Sequence, residues 1–111
     1  MTVDTAAEYE IRGLERLPSH MHGGIKRWIL NGIPAGSFLN SVLRNDLMGA
    51  LGKADEMNKH ALFEYGMFLY NDAPSGCYGS LDECVEWAMH SGLSNIQRDE
   101  SNRQTIKDML R

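Results

Sequence analysis

Gly36-Ser37-Phe38-Leu39-Asn40-Ser41-Val42-Leu43-Arg44-Asn45-Asp46-Leu47-Met48-Gly49-Ala50-Leu51-Gly52 is the stretch on which the fold turns. Phe38, Leu39, Val42, Leu43, Leu47, Ala50 and Leu51 recur at the three- and four-residue intervals that line one face of an α-helix. Gly36-Ser37 supplies a start and Gly52 a stop, so the spacing predicts one helix across the whole stretch. The chain is expected to be all-α.

Working outward strengthens that expectation. Downstream, a second helix is predicted from Asp55 to Tyr70, with Ala61, Leu62, Tyr65, Phe68 and Leu69 on one face and Phe63, Met67 and Tyr70 on another. That is more apolar surface than one small bundle readily covers. Upstream, Pro18-Ser19 opens a helix to Asn31, stopped by Gly32 and Pro34 and weakened at Gly23-Gly24 by roughly 1 kcal/mol per glycine. After the turn cluster Asn71-Asp72-Ala73-Pro74-Ser75-Gly76, Ser80-Leu81-Asp82-Glu83 is a capping box, and Leu81, Cys84, Val85 and Ala88 form the buried stripe of a helix ended by Gly92. The reading is a compact bundle of about four helices over residues 18–92. Residues 1–17 fit no period and are read as a loose N-terminal arm. Residues 93–111 are read as a polar C-terminal tail, with Ile106, Met109 and Leu110 hinting at a final short helix.

Composition excludes several classes of function. A chain of 111 residues, 42% apolar and 23% charged, fits one ordinary globular domain. No apolar run approaches the roughly 18 residues that span a bilayer, and Met1–Glu8 lacks the basic and apolar regions of a signal peptide. A cytoplasmic address is expected, without membrane contact. The formal charge of −4 argues against general binding to nucleic acid, although it leaves room for one locally held anion.

Chemistry-bearing residues are few. His20-Met21-His22, His60, His90, Cys77 and Cys84 show no zinc-ligand spacing, so neither a metal nor a cofactor is expected. Cys77 and Cys84 read as buried, inert thiols. Asp55-Glu56 and Asp82-Glu83 occupy first helical turns, where the helix dipole already explains acids. No acid–base or nucleophile constellation stands out, and the chain is read as a non-enzyme.

Two features remain. Gly36-Ser37-Phe38 and Gly79-Ser80-Leu81 are glycine-serine helix starts, at which free backbone amides can meet an anion and glycine lets it approach. Plain capping is the simpler explanation of both. Lys26 and Arg27 on the preceding helix are the candidate countercharges. The second feature is polar residues on apolar stripes. Asp46 and Asn58 both fall on or beside a buried face, where they need partners. Bonding to each other, or to Arg44 or Tyr65, would fix how the two long helices pack.

The run Gly32-Ile33-Pro34-Ala35-Gly36-Ser37-Phe38-Leu39, with Asn45-Asp46-Leu47, Ala54-Asp55, Phe68-Leu69-Tyr70-Asn71 and Pro74-Ser75-Gly76-Cys77, resembles small uncharacterised proteins encoded by tailed phages and prophages. The resemblance covers about residues 18–92. It implies a genomic setting, hence a host-cell cytoplasm, and no catalytic residues. Two functions follow as expectations. The leading one is a non-catalytic protein that binds or sequesters a small, nucleotide-like anion, as in the countering of host defence, using Gly36, Ser37, Phe38, Lys26, Arg27 and Asp46. The alternative is an inhibitor or adaptor that binds a host protein through exposed aromatic and methionine surface. A homo-oligomer suits either.

Overall fold

The computed structural model describes residues 10–111. Among them there are seven α-helices and no strand: α1 (His22–Asn31), α2 (Ser37–Leu43), α3 (Leu47–Lys53), α4 (Glu56–His60), α5 (Leu62–Asn71), α6 (Leu81–Met89) and α7 (Arg103–Leu110). The all-α class holds. The helices are more numerous and shorter than four because both long predicted helices break.

The first break lies inside the deciding stretch. Asn45 takes a left-handed backbone (φ 66°), and the Asp46 carboxylate accepts the Gly49 amide at 3.0 Å, starting α3 afresh. Asn and Asp compete with the helix for backbone groups, and Asn tolerates the left-handed region. Apolar periodicity continues across the corner because α3 folds back and packs its Ala50 beside α2. The second predicted helix breaks at Ala61, where the hydrogen bonding tightens to Ala61 N–H on Asn58 C=O. Asp55 starts α4 by accepting the Asn58 amide at 2.7 Å.

One core joins the elements. Trp28 of α1 donates its indole N–H to the Cys77 carbonyl at 2.9 Å, and Trp87 of α6 donates to the Trp28 carbonyl at 2.8 Å. The backbones of α1 and of the turn after α6 touch where Gly32 (φ 64°) meets Gly92 (φ 59°). A Cβ on Gly92 would lie 2.6 Å from the Ile29 carbonyl oxygen. Only glycine fits there.

Residues 93–111 are not a loose tail. They close the ends of other helices, whose last carbonyls need partners. The Ser94 hydroxyl donates to the Leu30 carbonyl at 2.7 Å. The Arg98 guanidinium donates to the Ala88 carbonyl at 2.9 Å and to the Asn31 carbonyl at 3.4 Å, joining the ends of α6 and α1. The last helix, α7, buries Ile106 and Leu110 against α6 and α2. Asn40 of α2 and Arg44, the residue after it, then donate to the carbonyls of Met109 and Leu110 at 3.1 and 3.0 Å. Composition misleads here because these contacts are polar.

Of the N-terminal arm, residues 1–9 lie outside the described residues, while Leu14 and Leu17 are buried in the core. The Ser19 side chain makes no cap bond; Ser19–Met21 is a 3-10 turn that leads into α1. No helix among the described residues is long and apolar enough to cross a membrane.

Candidate functional site

Two concave places border the core. The first is an apolar groove of about 250 Å³ between the α2–α3 corner and α5. Val42, Asn45, Leu47 and Ala50 form one wall; Leu62, Tyr65, Gly66 and Leu69 form the other, with Tyr70 and Tyr78 at one end. The corner is held by Arg44, whose guanidinium pairs with Asp46 at 3.1 Å while also bonding the end of α7. Past Tyr70 and Tyr78 the groove continues into an open hollow bounded by Ser75, Gly79 and Glu83. Its lining reaches solvent at Leu47, 63% exposed, and Tyr70, 82% exposed; Phe63 of α5, 73% exposed, lies outside the lining.

The groove floor carries no evident reactive group. Tyr65 donates its hydroxyl to the Asn58 side-chain oxygen at 2.8 Å, and burial pushes its phenol well above the usual range. Burial likewise pushes the thiols of Cys77 and Cys84 up to about 12, so both are neutral and poorly nucleophilic at neutral pH.

The second place is a hollow of about 310 Å³ before α2, lined by His20, Met21, Gly24, Arg27, Pro34, Ala35, Gly36 and Leu39. It brings together Arg27 and Gly36 of the residues expected to meet an anion. The others lie elsewhere. Lys26 and Ser37 are exposed outside the lining, and Phe38 is buried edge-to-face on Tyr65 with ring centroids 5.3 Å apart. Asp46 belongs to the groove.

Ser37 does not cap α2 with its side chain. Gly36 is the residue before the helix, and the turn is held instead by Asn40, which accepts from the Ala35 amide at 3.2 Å and donates to its carbonyl at 3.0 Å. Ser80, in contrast, accepts the Glu83 amide at 3.1 Å, as its sequence predicts.

Asp46 and Asn58 do not bond to each other. Each takes one of the other partners the sequence offered: Asp46 pairs with Arg44, and Asn58 accepts from Tyr65. The corner at Asn45 explains this, because it turns Asp46 out to the start of α3. Histidines serve locally: His20 pairs with Asp55 at 3.0 Å, His22 meets the Leu17 carbonyl at 2.8 Å, and His90 meets the Gly92 carbonyl at 2.9 Å. No group of three or more potential metal ligands occurs among the described residues.

The groove itself escaped the sequence reading, since it exists only once α3 folds back toward α5. The signals that could have found it are Asn45-Asp46 as a helix break and Gly66 within an otherwise strong helix. The chain matches no known protein family, no curated protein and no solved structure.

Proposed function

We propose that this protein is a non-catalytic protein-interaction module, an adaptor or inhibitor that docks apolar side chains of a partner in the groove between α3 and α5. The resemblance to phage-encoded proteins gives the setting, action on proteins of a host cytoplasm. One observation carries the reading: an apolar groove whose own lining leaves Leu47 63% and Tyr70 82% exposed, with Phe63, 73% exposed, on the same helix as Tyr70. Contiguous apolar surface left in water around a concave face, unlike single scattered residues, marks a contact surface. A volume of about 250 Å³ is below the roughly 300 Å³ at which small-molecule pockets begin, and accommodates one or two large side chains. A photo-crosslinking residue at position 63, irradiated in the cell, is expected to give protein adducts. The same residue at exposed Gln104 of α7 is the control. Absence of any adduct specific to position 63 would sink the docking reading.

A second reading keeps the small anion, because Arg27 and Gly36 line the same hollow before α2, although the Arg27 guanidinium lies against Gly23. It ranks below the first on chemistry. His20 already pairs with Asp55, and α2 has only seven residues over which its dipole can build. Calorimetry with nucleotides and cyclic nucleotides tests it: heat that disappears in Arg27→Ala supports it, and no heat from any of them removes it.

A further inference from the structure

Resting on the reading of the α3–α5 face as a protein-docking surface, we propose that its occupant is a second copy of this chain, packed antiparallel across Gly66 on a two-fold axis. Three features of α5 point to it. The exposed strip is Phe63, Gly66 and Tyr70. At about 100° per residue these three fall within about 60° of arc on the helix. Phe63 precedes Gly66 by three residues and Tyr70 follows by four, so the strip is nearly symmetric about the glycine. An antiparallel copy crossing there sets each Phe63 against Tyr70 of the partner subunit. That reciprocity, in which one residue meets a second and the second meets the first, is what a two-fold contact requires.

Gly66 fits the crossing point. A Cβ built on it would meet nothing within 4 Å, so the fold of the single chain does not demand glycine there. An interior helical glycine nevertheless costs about 1 kcal/mol relative to alanine. Close approach of a second helix gives it a use. Charge is compatible with a two-fold axis, which brings like against like. Glu64 is the one charged residue in α5, and it lies at least about 100° round the helix from each residue of the strip. Asp46 across the groove is paired with Arg44 at 3.1 Å.

The area suits a weak contact. Phe63 and Tyr70, at 73% and 82% exposure, present on the order of 300 Å² per copy, taking roughly 200 Å² for an aromatic side chain. Leu47, 63% exposed and lining the same groove as Tyr70, extends the face toward the roughly 500 Å² per copy at which a small specific interface begins.

Sedimentation of the full chain at micromolar concentration tests the proposal. The expected species is twice the 12.5 kDa monomer. Phe63→Glu should return it to the monomer with its helical circular dichroism intact. Met67→Cys, one residue from the crossing point and partly exposed, should cross-link to a dimer with a bis-maleimide, whereas the unmodified protein should not, since Cys77 and Cys84 are buried. A monomer throughout the micromolar range overturns the proposal. So does a dimer that survives Phe63→Glu and leaves Met67→Cys uncross-linked, because the contact then lies on another face. The photo-adduct at position 63 separates the two readings. Adducts between copies support both, and an adduct with a different protein on a monomeric chain overturns the dimer but keeps the docking face. Neither adduct nor dimer removes both.

Discussion

Two glycine positions in this molecule do opposite things. At the junction of Gly32 and Gly92 both backbones are left-handed, and a side chain on either would collide with the other element's backbone. The Trp87 indole N–H and the Arg98 guanidinium satisfy the Trp28 and Ala88 carbonyls around that junction. On α5, Gly66 has ordinary helical backbone and open space where a side chain would stand. The first glycine pair is explained within one chain. Nothing within one chain demands glycine at 66, and the proposed second copy would give it a use.

The largest effect should come from breaking the junction. Gly92→Ala adds a methyl group 2.6 Å from the Ile29 carbonyl oxygen, on a backbone at φ 59° that costs a non-glycine residue roughly 1–2 kcal/mol by itself. With the collision added, a loss of about 3 kcal/mol or more is expected in urea unfolding. A loss below about 1 kcal/mol would mean that the two backbones are not locked.

Next in size is the buried pair under the groove. Asn58→Leu leaves the Tyr65 hydroxyl without its acceptor, at a cost of about 1–3 kcal/mol. Adding Tyr65→Phe should recover much of that loss, because both polar groups are then gone. A double-mutant cycle on Asn58 and Asp46 should instead show coupling below about 0.5 kcal/mol, since they share no bond. Asp46→Ala alone should cost about 1 kcal/mol, the ordinary worth of a helix cap.

How much of this was legible in the sequence depends on distance along the chain. The Ser80 cap and the Gly32 stop are local, and each is read correctly from its neighbours. Of the stripe expected on α6, Cys84, Val85 and Ala88 are buried, Leu81 is only partly so, and the buried Trp87 and Met89 were missed. The break at Asn45 is also local, but seven apolar residues at helical spacing mask it. Periodicity is blind to the corner, which keeps Ala50 inside but turns Leu47 and Leu51 out to solvent. The roles of Arg98, Asn40 and Arg44 were not legible, because they close helix ends far away in sequence or across a turn. Polar residues after 92 therefore looked like a tail. Of the anion site, Arg27 and Gly36 do share a hollow, whereas Asp46 was placed by a helix that does not run straight.

Alkaline pH probes the core more gently. The thiols of Cys77 and Cys84 are held neutral by burial, pushed from about 9 to about 12. A group whose pKa is raised by folding favours the folded state fully below its unfolded value and loses that contribution as pH rises through the folded one. Stability should therefore decline from about pH 9 toward pH 12, and Tyr65 acts in the same sense at the upper end. Replacing both cysteines by alanine should flatten the lower part of that decline. If urea midpoints of the two proteins fall in parallel across this window, the thiols are not the cause.

The smallest effect is the one that sharpens the comparison most. Gly66→Ala places a methyl group into space with no neighbour within 4 Å, on a backbone that alanine adopts freely. In the isolated chain it should stabilise by up to about 1 kcal/mol, through helix propensity and a less flexible unfolded state. If a second helix crosses at that glycine, the same methyl group stands between the two backbones and weakens their contact. The two effects then depend differently on concentration. Dilute protein should melt higher with alanine. Concentrated protein, whose melting temperature includes a contribution from association, should gain less or melt lower. Thermal scans at nanomolar and at high micromolar concentration would reveal a crossing of the two curves. A constant gain at every concentration would mean that Gly66 meets no partner, and the contrast between the two glycine positions would then lack the cause assigned to it.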